Sequence, residues 1–254
     1  MDKLQKGKPD FARYQKEAVH TRTPHTGTAY TGAPHVRSMP SIRTSSTEII
    51  HIIISWLAIS YAFAILLLWS KSGIRPSSEE LFSGIFNPLV ISLFTVGTSF
   101  IIHEMSHKIV AQRFGSWAEF RMSPVMLFLM LILVYQLGIL FAAPGAVVIY
   151  GGNVGRRENG RISLAGPLSN LILGMAFFPL LSEQGILYEI GKYGVIINIT
   201  LALFNMIPFG IFDGRKVWDW NKLVYIGFVA AALLLLYFFL VNMQLMAPVE
   251  NTPF

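Results

Sequence analysis

Five apolar runs leave this chain few ways to fold. Residues 49–69 ("IIHIIISWLAISYAFAILLLW"), 88–113, 161–182, 193–208 and 223–245 each approach or exceed the roughly 20 residues a helix needs to cross a bilayer. In hydrocarbon every backbone N–H and C=O must find a partner within the protein, which a helix provides within its own segment. The expected architecture is therefore an all-α polytopic membrane protein with about five transmembrane helices. At 53% hydrophobic and 13% charged residues, the composition lies outside the usual globular range and agrees. His51 falls near the inner end of the first run and is read as an interfacial histidine.

Ahead of these runs, residues 1–47 are polar and basic, with a stretch rich in Thr, Gly, Pro and Ser ("HTRTPHTGTAYTGAPHVRS"). Such a segment cannot bury a core, so it is expected to be a largely disordered cytoplasmic arm, with residues 48–254 forming the membrane domain. It lacks the apolar centre of a signal peptide. His20, His25 and His35 are irregularly spaced along it and read as solvated bystanders rather than ligands. The net charge of +6 fits basic cytoplasmic loops, and no nucleic-acid motif is present, so no nucleic-acid partner is expected. The chain has no cysteine, so any metal must be held by His, Asp, Glu or Asn.

Residues 124–150 ("PVMLFLMLILVYQLGILFAAPGAVVIY") resist assignment as a simple span. At 27 residues the segment is too long for one comfortable crossing and short for two. Gly138 and the Pro144-Gly145 pair interrupt it. Its last six residues, "GAVVIY", are β-branched and read as a short strand or one arm of a hairpin.

The chemistry concentrates in "IIHEMSHKIV", residues 101–110. On a helix, residues four apart share a face, so His103 and His107 project together with a spacing suited to one zinc ion. Glu104 lies beside them and is suited to take a proton from a zinc-activated water. Counted from Asn87, His103 is about 24 Å along a helix at 1.5 Å per residue, inside a hydrocarbon core about 30 Å thick. Two histidines and a glutamate at that depth are costly unless paired or bound to metal.

A catalytic zinc takes three protein ligands and keeps one position open. "NMIPFGIFDGRKV", residues 205–217, offers a third candidate in Asp213. Pro208 should end or kink the preceding helix, and Gly210 and Gly214 allow tight turns around the acid. Asp213 also reads as a loop carboxylate or as the cap of a following helix.

Together, "HEMSH", "AGPLSN" (165–170) and "NMIPFGIFDG" (205–214) resemble, in that order, the three motifs of the site-2 protease family of intramembrane zinc metalloproteases. The resemblance covers about 88–217. It implies that His103, His107 and Asp213 hold one Zn2+ and that Glu104 is the general base. It implies further that Asn170 holds the substrate peptide or stabilises the oxyanion, and that Asn205 and Pro208 shape the Asp213 loop. Asn170 also reads as a polar residue bonding a neighbouring helix, and Pro167 as the first turn of the helix that this motif opens.

Zinc binding makes a topological demand, because both ends that carry ligands must lie on one side. The demand is met if 124–150 is re-entrant, with a helical half ending near Gly138 and an extended return. Lysine and arginine favour cytoplasmic loops and test this separately. With the N-terminus inside and a re-entrant 124–150, the basic residues divide 17 inside against 3 outside; a full crossing gives 12 against 8.

These readings point to a metalloprotease acting within the lipid bilayer, nearer the cytoplasmic face, and the family resemblance implies that its substrate is a membrane-anchored regulatory protein. A substrate helix must unwind there, and an extended peptide could pair with the "GAVVIY" edge at Val147 and Val148. A strand that only packs the re-entrant loop is the plainer reading of that segment. The rival functions are a metal transporter and an inactive family member serving as a membrane scaffold.

Overall fold

The computed structural model describes residues 42–73, 75–140, 144–150 and 154–246. The readings placed on the arm before residue 42, including His20, His25 and His35, lie outside the described residues. Five helical stretches are long and apolar enough to cross a membrane: Ser46–Ser70, Phe86–Arg113, Arg156–Ser182, Ile186–Asn205 and Lys222–Asn242. With a small two-stranded sheet they make a mostly helical, multi-pass membrane protein.

Helix α1 spans Ser46–Ser72 and opens on Ser45, whose hydroxyl accepts the Glu48 N–H at 3.1 Å. This cap and the acidic first turn fix the start of the helix. After the short, surface-lying α2 (Ser78–Gly84), α3 (Phe86–Ser92) runs through a π turn at Leu93–Gly97 into α4 (Thr98–Arg113). The capping box at the start of α2, where the Ser77 N–H donates to Glu80 at 2.7 Å, holds the Glu80 carboxyl below the ordinary range.

Strand β1 (Trp117–Met122) leads into α5 (Pro124–Leu137), and β2 (Gly145–Tyr150) returns antiparallel to β1 with Met122 opposite Gly145 and Trp117 opposite Tyr150. The Ser123 N–H donates to Pro144 C=O at 2.9 Å, so α5 starts and its return ends at one place. Helix α5 ends at Gly138 and, with 14 residues, reaches only about 21 Å, short of the roughly 30 Å of a hydrocarbon core. The segment therefore goes in and comes back, as charge and parity require. Its inner face (Leu127, Met130, Val134) joins Ile59, Ala62 and Ile65 of α1, Phe100 of α4 and Phe120 of β1 in one buried cluster.

Helix α6 spans Arg156–Phe177 and ends in a 3-10 turn at Phe178–Ser182. It starts well before the motif expected to open it, because the Gly155 N–H finds the Glu158 carboxylate at 2.9 Å and caps the earlier turn. Pro167 therefore lies in the helix interior and not in its first turn, which corrects the sequence reading. Helix α7 covers Ile186–Asn205 and stops three residues short of Pro208. It starts earlier than the apolar run did, since Glu189 and Lys192 are tolerated at a span end. After a turn at 206–212 come α8 (Asp213–Trp220) and α9 (Lys222–Met246).

Candidate metal centre

Helix α4 places His103 and His107 one turn apart on the face that meets α6, and both are buried. Their rings stand edge to face with centroids 4.7 Å apart, and their Nε2 atoms are 3.0 Å apart. Asp213 arrives from the first residue of α8 and is also buried. Its Oδ2 is 3.0 Å from Nε2 of His107 and 3.5 Å from Nε2 of His103. Ligands about 2.0–2.1 Å from a tetrahedral zinc lie about 3.3 Å from one another, so these three spacings suit a single ion. Among the described residues this is the one group of three such side chains that could hold a metal.

The outward nitrogens are fixed as a zinc site needs. Nδ1 of His107 is 2.7 Å from Ile162 C=O, and Nδ1 of His103 is 2.5 Å from Oδ1 of Asn170. Both oxygens can only accept, so both Nδ1 atoms carry a proton and the Nε2 lone pairs face one point. The Asn170 amide is oriented by its own neighbours: its Nδ2 donates to Ser99 C=O at 3.4 Å and to Oδ1 of Asn198 at 2.9 Å. Asn198 in turn donates to Gly194 C=O at 2.8 Å.

The "AGPLSN" segment thereby acquires a physical account. Ile162, Gly166 and Asn170, spaced by four, present one face of α6 to the histidines. A Cβ at Gly166 would overlap Nε2 of His107 and Cε1 of His103, so only glycine allows the approach. Pro167 has no N–H to serve Ser163 C=O, the carbonyl next to the Ile162 carbonyl that holds His107. Gly214 plays the corresponding part at Asp213, where a Cβ would run into the Met206 and Ile207 carbonyls. The turn before Asp213 is also tied to α9, because the Tyr225 hydroxyl donates to Met206 C=O at 2.7 Å.

Glu104 faces the sheet: its Oε2 accepts the Val147 N–H at 3.1 Å. The other sequence candidates fall at different distances from the centre. In an antiparallel ladder, alternate residues turn their N–H and C=O toward and away from the partner strand. Val147 turns outward to Glu104, whereas Val148 turns to β1, where it sits opposite Glu119, and its side chain is exposed. The Asn205 side chain donates to Leu201 C=O at 3.0 Å, and Pro208 is exposed in the turn; neither reaches the histidines. Asn170 has its amide hydrogens engaged by Ser99 and Asn198, so its contact with the centre runs through His103 and not through a free donor. Asn198 and Tyr225 escaped the sequence reading. The available signal for Asn198 was an amide in the middle of an apolar span.

The chain is 41% identical over 190 residues to a Methanocaldococcus jannaschii protein named "Putative zinc metalloprotease MJ0611", a match that covers 74% of this chain and 91% of that one. The chain belongs to the site-2 protease family of zinc metalloproteases. No family model matches it, and no solved structure does. The cofactor of this metalloprotease is zinc, and His103, His107 and Asp213 make up the buried donor set for one ion. Two imidazoles and one carboxylate leave the fourth position of a tetrahedral ion free, the pattern of a catalytic rather than a structural site. Lys216 stands 3.5 Å from Oδ1 of Asp213, on the oxygen turned away from the histidines, and leaves Oδ2 for the metal.

Proposed function

We propose that this metalloprotease hydrolyses a peptide bond within or near a transmembrane helix of a membrane-anchored regulatory protein, with its N-terminus cytoplasmic and its active centre inside the bilayer near the cytoplasmic face. The observation that carries the reading is where the ligands come from. His103 and His107 lie within a helix apolar enough to cross a membrane, and Asp213 follows the end of another. The distribution of basic residues supports the orientation.

The sheet supports a substrate held as a strand. Side chains cover the outer edge of β1: Glu48 accepts the Phe120 N–H at 2.9 Å, and the Gln112 amide donates to Ala118 C=O at 2.9 Å. The outer edge of β2 carries the backbone groups of Val147 and Ile149 beside Glu104. A locally unwound substrate segment pairing there would satisfy its own backbone groups, which hydrocarbon cannot do.

When bound, zinc supplies a Lewis acid and lowers the pKa of water. Glu104 takes the proton of the attacking water on its carboxylate and delivers it to the leaving amide nitrogen. Asn170 and the Ile162 carbonyl hold the two imidazoles in the tautomer that leaves Nε2 free. Residues of β2 align the scissile bond with Glu104.

The test uses the full-length chain reconstituted in liposomes with a panel of single-span reporter peptides. Cleavage inside the span by the wild type but not by Glu104→Gln supports the reading. Cleavage only of soluble peptides, or by both proteins, overturns it.

A further inference from the structure

A second carboxylate grips the sheet from the side opposite the catalytic one. Phe120 and Val147 sit directly across from each other, and their N–H groups point away from one another. The Val147 N–H goes to Glu104, and the Phe120 N–H goes to Oε1 of Glu48 on α1. Glu48 is 0% exposed, and its Oε2 is 2.6 Å from the ammonium of Lys108, itself 2% exposed. Lys108 follows His107 on α4 and donates also to the Thr44 hydroxyl at 2.8 Å. Gln112, one turn further along α4, donates to the carbonyls of Ala118 and Arg43 and accepts the Arg43 N–H at 2.9 Å.

A buried ion pair is seldom the cheapest way to hold two helices together, since apolar residues of similar volume do as well or better. What an apolar pair could not supply is an acceptor for the Phe120 N–H, which faces away from β2 and away from water. Glu48 links three elements at once: the first turn of α1, the residue after a zinc ligand on α4, and the strand that backs β2. Neither Glu48 nor α1 falls within the motifs of the family resemblance.

We propose that Glu48 and Lys108 are positioning residues for proteolysis, fixing β1 at its outer edge and so setting where the outer edge of β2 lies relative to Glu104. The proposal rests on the reading that β2 receives the substrate strand. The Glu48→Met/Lys108→Met double variant removes both charges without leaving either unpaired, and it removes the acceptor. Glu48→Gln combined with Lys108→Met keeps an acceptor oxygen for the Phe120 N–H and leaves no buried charge unpaired.

The zinc-loaded full chain in liposomes is followed by hydrogen exchange and by cleavage of a reporter peptide. In the double variant, amides of 117–122 and 145–150 should exchange about tenfold faster while those of 156–177 stay unchanged. Zinc content should hold, KM should rise about tenfold with a smaller change in kcat, and new cleavage sites should appear beside the original one. The Glu48→Gln/Lys108→Met variant should restore a single cleavage site and the slow exchange. Unchanged exchange in both strands, or exchange raised throughout together with loss of zinc, overturns the proposal, as does failure of the Glu48→Gln/Lys108→Met variant to rescue.

Ile149→Pro separates this proposal from the reading beneath it. It removes an outward N–H without breaking the ladder to β1. If Ile149→Pro cleaves like its Ile149→Ala control, the strand-edge reading fails, whatever Glu48 does. If Ile149→Pro raises KM and the Glu48 variants do not, the positioning role alone fails.

Discussion

Nε2 of His107 lies 3.0 Å from Oδ2 of Asp213, although the whole sheet, the re-entrant helix α5 and the two spans α6 and α7 separate them along the chain. The contact requires the C-terminal ends of α4 and α7 to lie on the same side. That requires in turn that Pro124–Leu137 not cross the membrane. Replacing Asp213 with Ala should leave the purified protein with clearly less than one zinc per chain after dialysis, measured by elemental analysis. Undiminished zinc would remove Asp213 from the ligand set.

Glu104→Gln preserves shape and removes the base. The expected result is a loss of about 10²–10⁴-fold in kcat with zinc content unchanged. A parallel loss of zinc would mean that Glu104 acts on the metal site rather than on the proton.

Asn170 holds His103 through a bond of 2.5 Å, and Asn198 holds Asn170. Truncating a partner of a metal-binding histidine typically costs about 10–100-fold in metal affinity or activity, so Asn170→Ala should fall in that range. Asn198→Ala should act in the same direction and more weakly, because it works through Asn170. Competition with a zinc-binding dye reads both, and equal affinity in all three proteins would refute the link.

Gly166→Ala and Gly174→Ala make a matched pair on α6. At Gly166 a methyl group meets both imidazoles, whereas at Gly174 its nearest neighbour is Cβ of Asn198 at 3.3 Å. Alanine normally favours a helix over glycine by about 1 kcal/mol. Gly166→Ala should therefore lose zinc while remaining helical, and Gly174→Ala should keep it. Circular dichroism with metal analysis distinguishes the two, and intact zinc in Gly166→Ala would contradict the packing described.

The chain has no cysteine, so single cysteines report topology directly. Cysteines replacing the exposed Arg113 and Arg215 should react with a membrane-impermeant maleimide from one side of the vesicle, and those replacing Glu79 and Gln184 from the other. Arg113 and Arg215 labelled from opposite faces would separate the histidines from Asp213.

The sequence by itself determined the parts that depend on local chemistry. Spans follow from apolar length, the His103–Glu104–His107 face from helical spacing, and the same-side return of 124–150 from charge bias and the parity that a shared ion imposes. It misplaced the start of α6, because a proline suited to a first turn is also tolerated inside a membrane helix whose neighbours satisfy the freed carbonyls. Tertiary structure alone decided which oxygen meets each Nδ1, that Asn170 spends its amide on Ser99 and Asn198, and that Glu48 and Glu104 grip one strand pair from opposite edges. Hydrogen-bond partners far apart in sequence leave no periodic trace. A buried donor takes whichever acceptor the packing of separate helices brings within about 3 Å, and that choice exists only once the helices have assembled.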